Sequence, residues 1–146
     1  MVNQIMAGIS KTLNGVFGDT FEIYYSKDVQ QGLKAPCFFI ALVKSSRIKQ
    51  IGLRYWMENN LDVQYFPAVK GSNVEMFDVA KQLFDALELF ELPNGDLVRG
   101  VKMRYEIVDG ILHFFVDVNL FLLKELIIDN MEELTINAGI TAGGKG

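Results

Sequence analysis

The hydrophobic positions of this chain switch between two periods. Ile5, Ile9, Leu13 and Val16 or Phe17 recur at helical spacing, which predicts an amphipathic helix over Asn3–Phe17 ended by a Gly18-Asp19 turn. Phe21–Tyr25 reads as a short strand, and the polar Ser26–Lys34 reads as loop with Gly32 at a turn. Then comes PCFFIALVKSSRIKQIGLRYWMENNLDVQYFP, Pro36 to Pro67: two runs rich in aromatic and β-branched residues, joined by a basic turn around Gly52. A strand from Cys37 to Lys49 would span on the order of 40 Å at about 3.3 Å per residue, against about five or six residues for a typical strand. Such a hairpin is expected to outreach its own domain. In its first arm Phe38, Ile40 and Leu42 alternate with Cys37, Phe39, Ala41 and Val43, so both faces are apolar, as in a central strand or one covered by a neighbouring chain. In the second arm Tyr55, Met57, Leu61, Val63 and Tyr65 share a face interrupted by Asn59, with Arg54, Trp56, Glu58, Asn60, Asp62 and Gln64 opposite. The odd face is expected to be core.

Ser72 and Glu75 form an S-x-x-E capping box, followed by Phe77, Ala80, Phe84 and Leu87 down one side of a helix expected to end near Phe90. Pro93-Asn94-Gly95 breaks the chain. Val101, Met103, Tyr105 and Ile107 then alternate with Lys102, Arg104 and Glu106 as a one-sided strand, and Asp109-Gly110 reads as a tight turn. Beyond it Leu112, Phe114, Val116, Val118, Leu120 and Leu122 oppose His113, Phe115, Asp117, Asn119 and Phe121. This order predicts an α+β fold: a mostly antiparallel sheet with a long projecting hairpin and helices packed on one face. A single domain over residues 1–124 is expected. Residues 125–146 read as a C-terminal extension, flexible at its glycines and able to order on a partner.

Composition narrows the possibilities. In 146 residues, 50% are hydrophobic and the mean hydropathy is +0.20, yet the longest uncharged apolar run, Ala35–Val43, is far short of the roughly 18 residues that cross a bilayer. A soluble domain with surplus apolar surface points to partners and to an oligomer. The net charge of −4 gives no general attraction to nucleic acid or anionic membrane. A lone cysteine and the absence of a signal-peptide pattern predict synthesis and function in a reducing cytoplasm.

Catalytic equipment is missing. With one His and one Cys the chain offers neither a hydrolytic triad nor a metal site, so no catalytic, cofactor-binding or metal residue is assigned. Cys37 reads as a small buried hydrophobe. His113 and Asp117 share a strand face but stand about 13 Å apart, beyond hydrogen-bond reach. Gly139–Lys145 satisfies G-x-x-x-x-G-K, but Gly146 follows where Ser or Thr is needed and no helix succeeds it, so no phosphate loop is expected. Glu58 and Asp62 read as solvated or inter-subunit charges. Trp56 lies on the polar face between Arg54 and Glu58 and reads as an interface residue. Phe115 and Phe121 are to be covered either by a helix of the same chain or by a partner. Lys44, Arg47, Lys49 and Arg54 make the hairpin tip basic, either as a solvated turn or for docking on an acidic surface of a neighbouring protein.

The helix NQIMAGISKTLNGVFGD, the strand FEIYYS, KDVQQGLKAPCFFIALV, GLRYWMENNLDVQYFP and the helix after SNVEMFDVAKQLFDAL follow one another in an order that resembles the phage tail terminator, or tail-completion, family, in the branch of clostridial and related Gram-positive hosts. The resemblance covers Met1 to Lys124. It implies a structural, non-enzymatic virion protein, made in the bacterial cytoplasm. Such a protein forms a ring, expected to be a hexamer, that caps the head-proximal end of the tail tube and stops elongation. The implied partners are further copies of itself, the tube protein, neck or head-completion proteins, and the sheath protein if the tail contracts. The alternative reading is a cytoplasmic α+β dimer that binds a small apolar ligand.

Overall fold

The computed structural model describes residues 2–18, 21–24, 34–129 and 133–141, with side chains as far as Leu123. Its elements in chain order are α1 (Val2–Phe17), β1 (Glu22–Tyr24), β2 (Cys37–Lys49), β3 (Arg54–Phe66), α2 (Asn73–Ala86), β4 (Phe90–Glu91), β5 (Leu97–Val98), β6 (Gly100–Val108), β7 (Ile111–Asp129) and β8 (Glu133–Thr141). The main sheet runs β1-β2-β3-β7-β6, with β8 also paired to β7, and is antiparallel except where β1 joins β2. The fold is α+β, as the periodicities predict. The polar loop expected over Ser26–Lys34 and the strand end at Tyr25 lie, apart from Lys34, outside the described residues.

Both helices cover one face of the sheet. Ile5, Ile9 and Leu13 of α1 and Met76, Val79, Ala80 and Leu83 of α2 share a core with Phe38 and Ile40, the odd residues Leu61, Val63 and Tyr65, and the even residues Leu112 to Leu120. Each such apolar side chain contributes about 1.5–3 kcal/mol on burial. Asn59, which interrupts the odd face in sequence, is fully buried there: it accepts from the Ser45 hydroxyl at 2.7 Å and donates to the Val118 carbonyl at 3.0 Å.

Four local expectations need correction. The buried stripe of α2 runs through Met76, Val79, Ala80 and Leu83, while Phe77 is 50% exposed and reaches with Phe84 toward Tyr105. The helix stops at Ala86 rather than near Phe90, because the Leu87 N–H closes the last turn on Leu83 and the Leu87 carbonyl accepts from Gly100 at 2.9 Å. Val101 does not share a face with Met103, Tyr105 and Ile107: the ladder shifts between Val101 and Arg104, at Lys102 with φ 52, and Val101 pairs with Asp117 on the far side. A second shift, between Leu42 and Lys44, leaves Val43 without an opposite residue. Past Lys124, β7 continues to Asp129 and β8 folds back on it.

Only half of the capping box forms. Ser72 Oγ accepts the Glu75 N–H at 3.4 Å, but the Glu75 carboxylate turns to the sheet and accepts from the Tyr65 hydroxyl at 2.6 Å and the Ala68 N–H at 2.9 Å. Burial, and then this bond, hold the Tyr65 hydroxyl well above its usual value of 10.0. A raised folded-state value stabilises the fold fully below about pH 10, and that contribution is lost as pH climbs toward the folded-state value. The wild type is therefore expected to lose stability above about pH 10 more steeply than Tyr65→Phe in urea melts. Parallel alkaline profiles for the two would remove Tyr65 from this role.

Candidate functional site

With both helices on one side, the other face of the sheet carries its own side chains outward. Register fixes its rows. Across β3 and β7 the outward pairs are Arg54 and Leu123, Trp56 and Phe121, Glu58 and Asn119, Asn60 and Asp117, Asp62 and Phe115, and Gln64 and His113. Toward the hairpin tip the Trp56 and Phe121 rings meet edge to face at 4.8 Å, and the Arg54 guanidinium lies 5.0 Å from the Phe121 ring centre. Toward the other end, Arg104 stands 5.1 Å over Phe115, which stacks beside His113 at 6.4 Å. Two aromatic clusters thus bracket a polar middle.

That middle is rich in acceptors. Asp62 Oδ2 takes His113 Nδ1 at 2.9 Å and Gln64 Nε2 at 3.1 Å, whereas Asp62 Oδ1 and Asn119 Oδ1 are buried without a partner. Asp117 is only 8% exposed, and no hydrogen bond or ion pair reaches its carboxylate among the described residues. The contact between Asp62 and His113 is the one salt bridge among those residues. His113 and Asp117 share a strand face without meeting, as their spacing predicts; the carboxylate that His113 does meet comes from β3, and only the pairing of Gln64 with His113 brings the two together.

The arrangement presents aromatic surface and unpaired hydrogen-bond acceptors. No Ser, Thr or Cys side chain hydrogen-bonds His113 among the described residues, and no three acidic, His or Cys side chains converge there as a metal site would require. Cys37 is buried, and its thiol is pushed up, first by burial and then by the Glu22 carboxylate. A cleft of about 500 Å³ does open beside Phe17, Phe21, Val79, Tyr65 and Glu75. Of its four polar side chains, Tyr65 and Glu75 are occupied with each other, while Asp78 and Gln82 line its rim.

A family model described as phage tail terminator protein matches residues 4–130. This chain belongs to that family. Among curated proteins none matches. Membership makes the chain a component of the phage tail, in a family of structural proteins, and it implies contact with other tail proteins. No helix among the described residues is long and apolar enough to cross a membrane.

Of the residues singled out as contact candidates in this family member, Arg54, Trp56, Glu58, Phe115 and Phe121 all lie on the outward face. Lys44 joins them from β2, opposite Asn60. Arg47 and Lys49 do not: beyond the Val43 shift they pair with Met57 and Tyr55, on the helix side, and the Arg47 guanidinium lies 5.4 Å from the Tyr55 ring centre. Neither helix covers Phe115 or Phe121. Sequence reasoning put Asp117 and Asn119 on the face of Phe115 and Phe121 but did not single them out as contact candidates, because a carboxylate or amide alternating with apolar residues carries no local sign that it lacks a partner.

Proposed function

We propose that the protein closes into a ring of six at the head-proximal end of the tail tube, ends tube growth there, and presents a surface to neck or head proteins. In a contractile tail the ring would also meet the last sheath layer. The observation that carries the reading is the outward sheet face with its half-buried aromatic clusters and unpaired acceptors, in a member of the tail terminator family. An aromatic-rich face with an Arg in each of its clusters has the composition of interface hot spots. A head-to-tail contact through such a face is the kind that closes into rings.

Electron microscopy of intact particles tests this. A six-fold ring between tube and neck is expected, together with tails of uncontrolled length when the protein is missing. A two-fold cap, or the protein inside the capsid, would overturn it.

The ribbon of β7 and β8 enters the same proposal as an assembly element. Phe121 to Leu123 keep β3 as a partner when β8 is removed. Deleting Leu134–Gly146 is therefore expected to shift the melting temperature of the isolated protein little while weakening attachment to tube or sheath. A large drop in melting temperature would instead assign the segment to the domain's own sheet.

A further inference from the structure

Resting on the ring reading, we infer that the outward face around Asp117 receives the basic hairpin tip, Arg47 and Lys49, of a second copy of this chain. Asp117 is more than nine-tenths buried, yet it has no donor among the described residues, and the neighbouring acceptors Asp62 Oδ1 and Asn119 Oδ1 are unpaired as well. A carboxylate in such a place is favoured by a cation brought to it. Arg47 and Lys49 are exposed and have no carboxylate partner among the described residues.

Geometry prevents them from meeting Asp117 of their own copy. They stand on the helix side of the sheet near the tip, whereas Asp117 stands on the opposite side, two strands in from β2. Lys44 does share the row of Asp117, with Asn60 between them, but at about 5 Å per strand the backbones are about 10 Å apart and no ion pair forms. Donor and acceptor patches thus occupy different surfaces of one chain. A contact between them is head to tail, and repeating it closes a ring or runs on as a filament.

The test is a charge exchange read by native mass spectrometry and sedimentation on the full chain. Asp117→Lys alone, and Arg47→Glu with Lys49→Glu alone, are each expected to lower association at least ten-fold. Mixing the two variants is expected to restore it, in rings with an even number of copies, because each junction then joins opposite charges. Asp117→Asn, which keeps the shape, guards against misfolding of the lysine variant and is expected to weaken association while its circular dichroism melt matches that of the wild type. Unchanged association in Asp117→Asn and in the tip variant, or no recovery on mixing, overturns the inference. A wild type that stays monomeric at every concentration overturns it too. In either case the terminator reading stands or falls separately, on tail length and on the ring seen in particles.

Discussion

Gly100→Ala is expected to destabilise the protein by roughly 2–6 kcal/mol, a large part of the total of about 5–15 kcal/mol typical of a domain. A Cβ at this buried position would collide with the Leu87 carbonyl oxygen and lie 2.7 Å from Val116 Cγ2. The Leu87 oxygen belongs to the backbone and cannot swing aside as a side chain would. It is also the acceptor of the Gly100 N–H at 2.9 Å, the bond that ties the end of α2 to the start of β6. Overpacking costs about 1–3 kcal/mol, and leaving the buried N–H unpaired costs about 1–3 kcal/mol more. Urea unfolding measures the sum. A midpoint within experimental error of the wild type would mean that β6 can shift away from Leu87 at little cost.

The double variant Trp56→Ala, Arg54→Ala is expected to impair tail completion far more than folding. Within the monomer both residues lean on Phe121. An aromatic pair is worth about 0.5–1.5 kcal/mol beyond its buried area and an exposed cation over a ring about 0.5–1 kcal/mol, so folding loses on the order of 1–2.5 kcal/mol besides the area the half-buried Trp56 ring covers. An aromatic anchor truncated at an interface costs about 2–4 kcal/mol or more, enough to lower occupancy of each junction about a hundred-fold. Melts of the purified variant and tail-completion assays should therefore diverge. A variant that does not fold would place Trp56 among the residues that hold the monomer together.

Where the sequence was legible, the pattern was local. The alternation along β3 and the first half of β7, the two positive-φ positions of the Asp109-Gly110 turn and the Ser72 cap are each written within a few residues of one another. The two stripes of α2 could not be separated so easily, since both run through Ala80 and both carry large apolar side chains at helical spacing. The stripe that faces the sheet, Met76 and Val79, starts beside Glu75, whose carboxylate reaches Tyr65 ten residues away, a contact no local pattern reveals. The bulges at Val43 and Lys102 carry no residue type that announces them, and the pairing of His113 with Asp62 spans 51 residues. Register is a property of two strands at once, so a face made by three strands can be read only after they are paired.

The extra residue at Val43 has a consequence for polarity. Had the pleat kept step through it, Arg47 and Lys49 would emerge on the same side as Asp117, and two copies could then satisfy each other across a dyad, making a closed pair with nothing left to add. Because β2 changes phase there, Arg47 and Lys49 stand on one side of the sheet and Asp117 on the other, and the contact inferred above would give each copy one side that donates charge and another that receives it. Such a subunit has a direction, and a layer built from it can tell clockwise from anticlockwise.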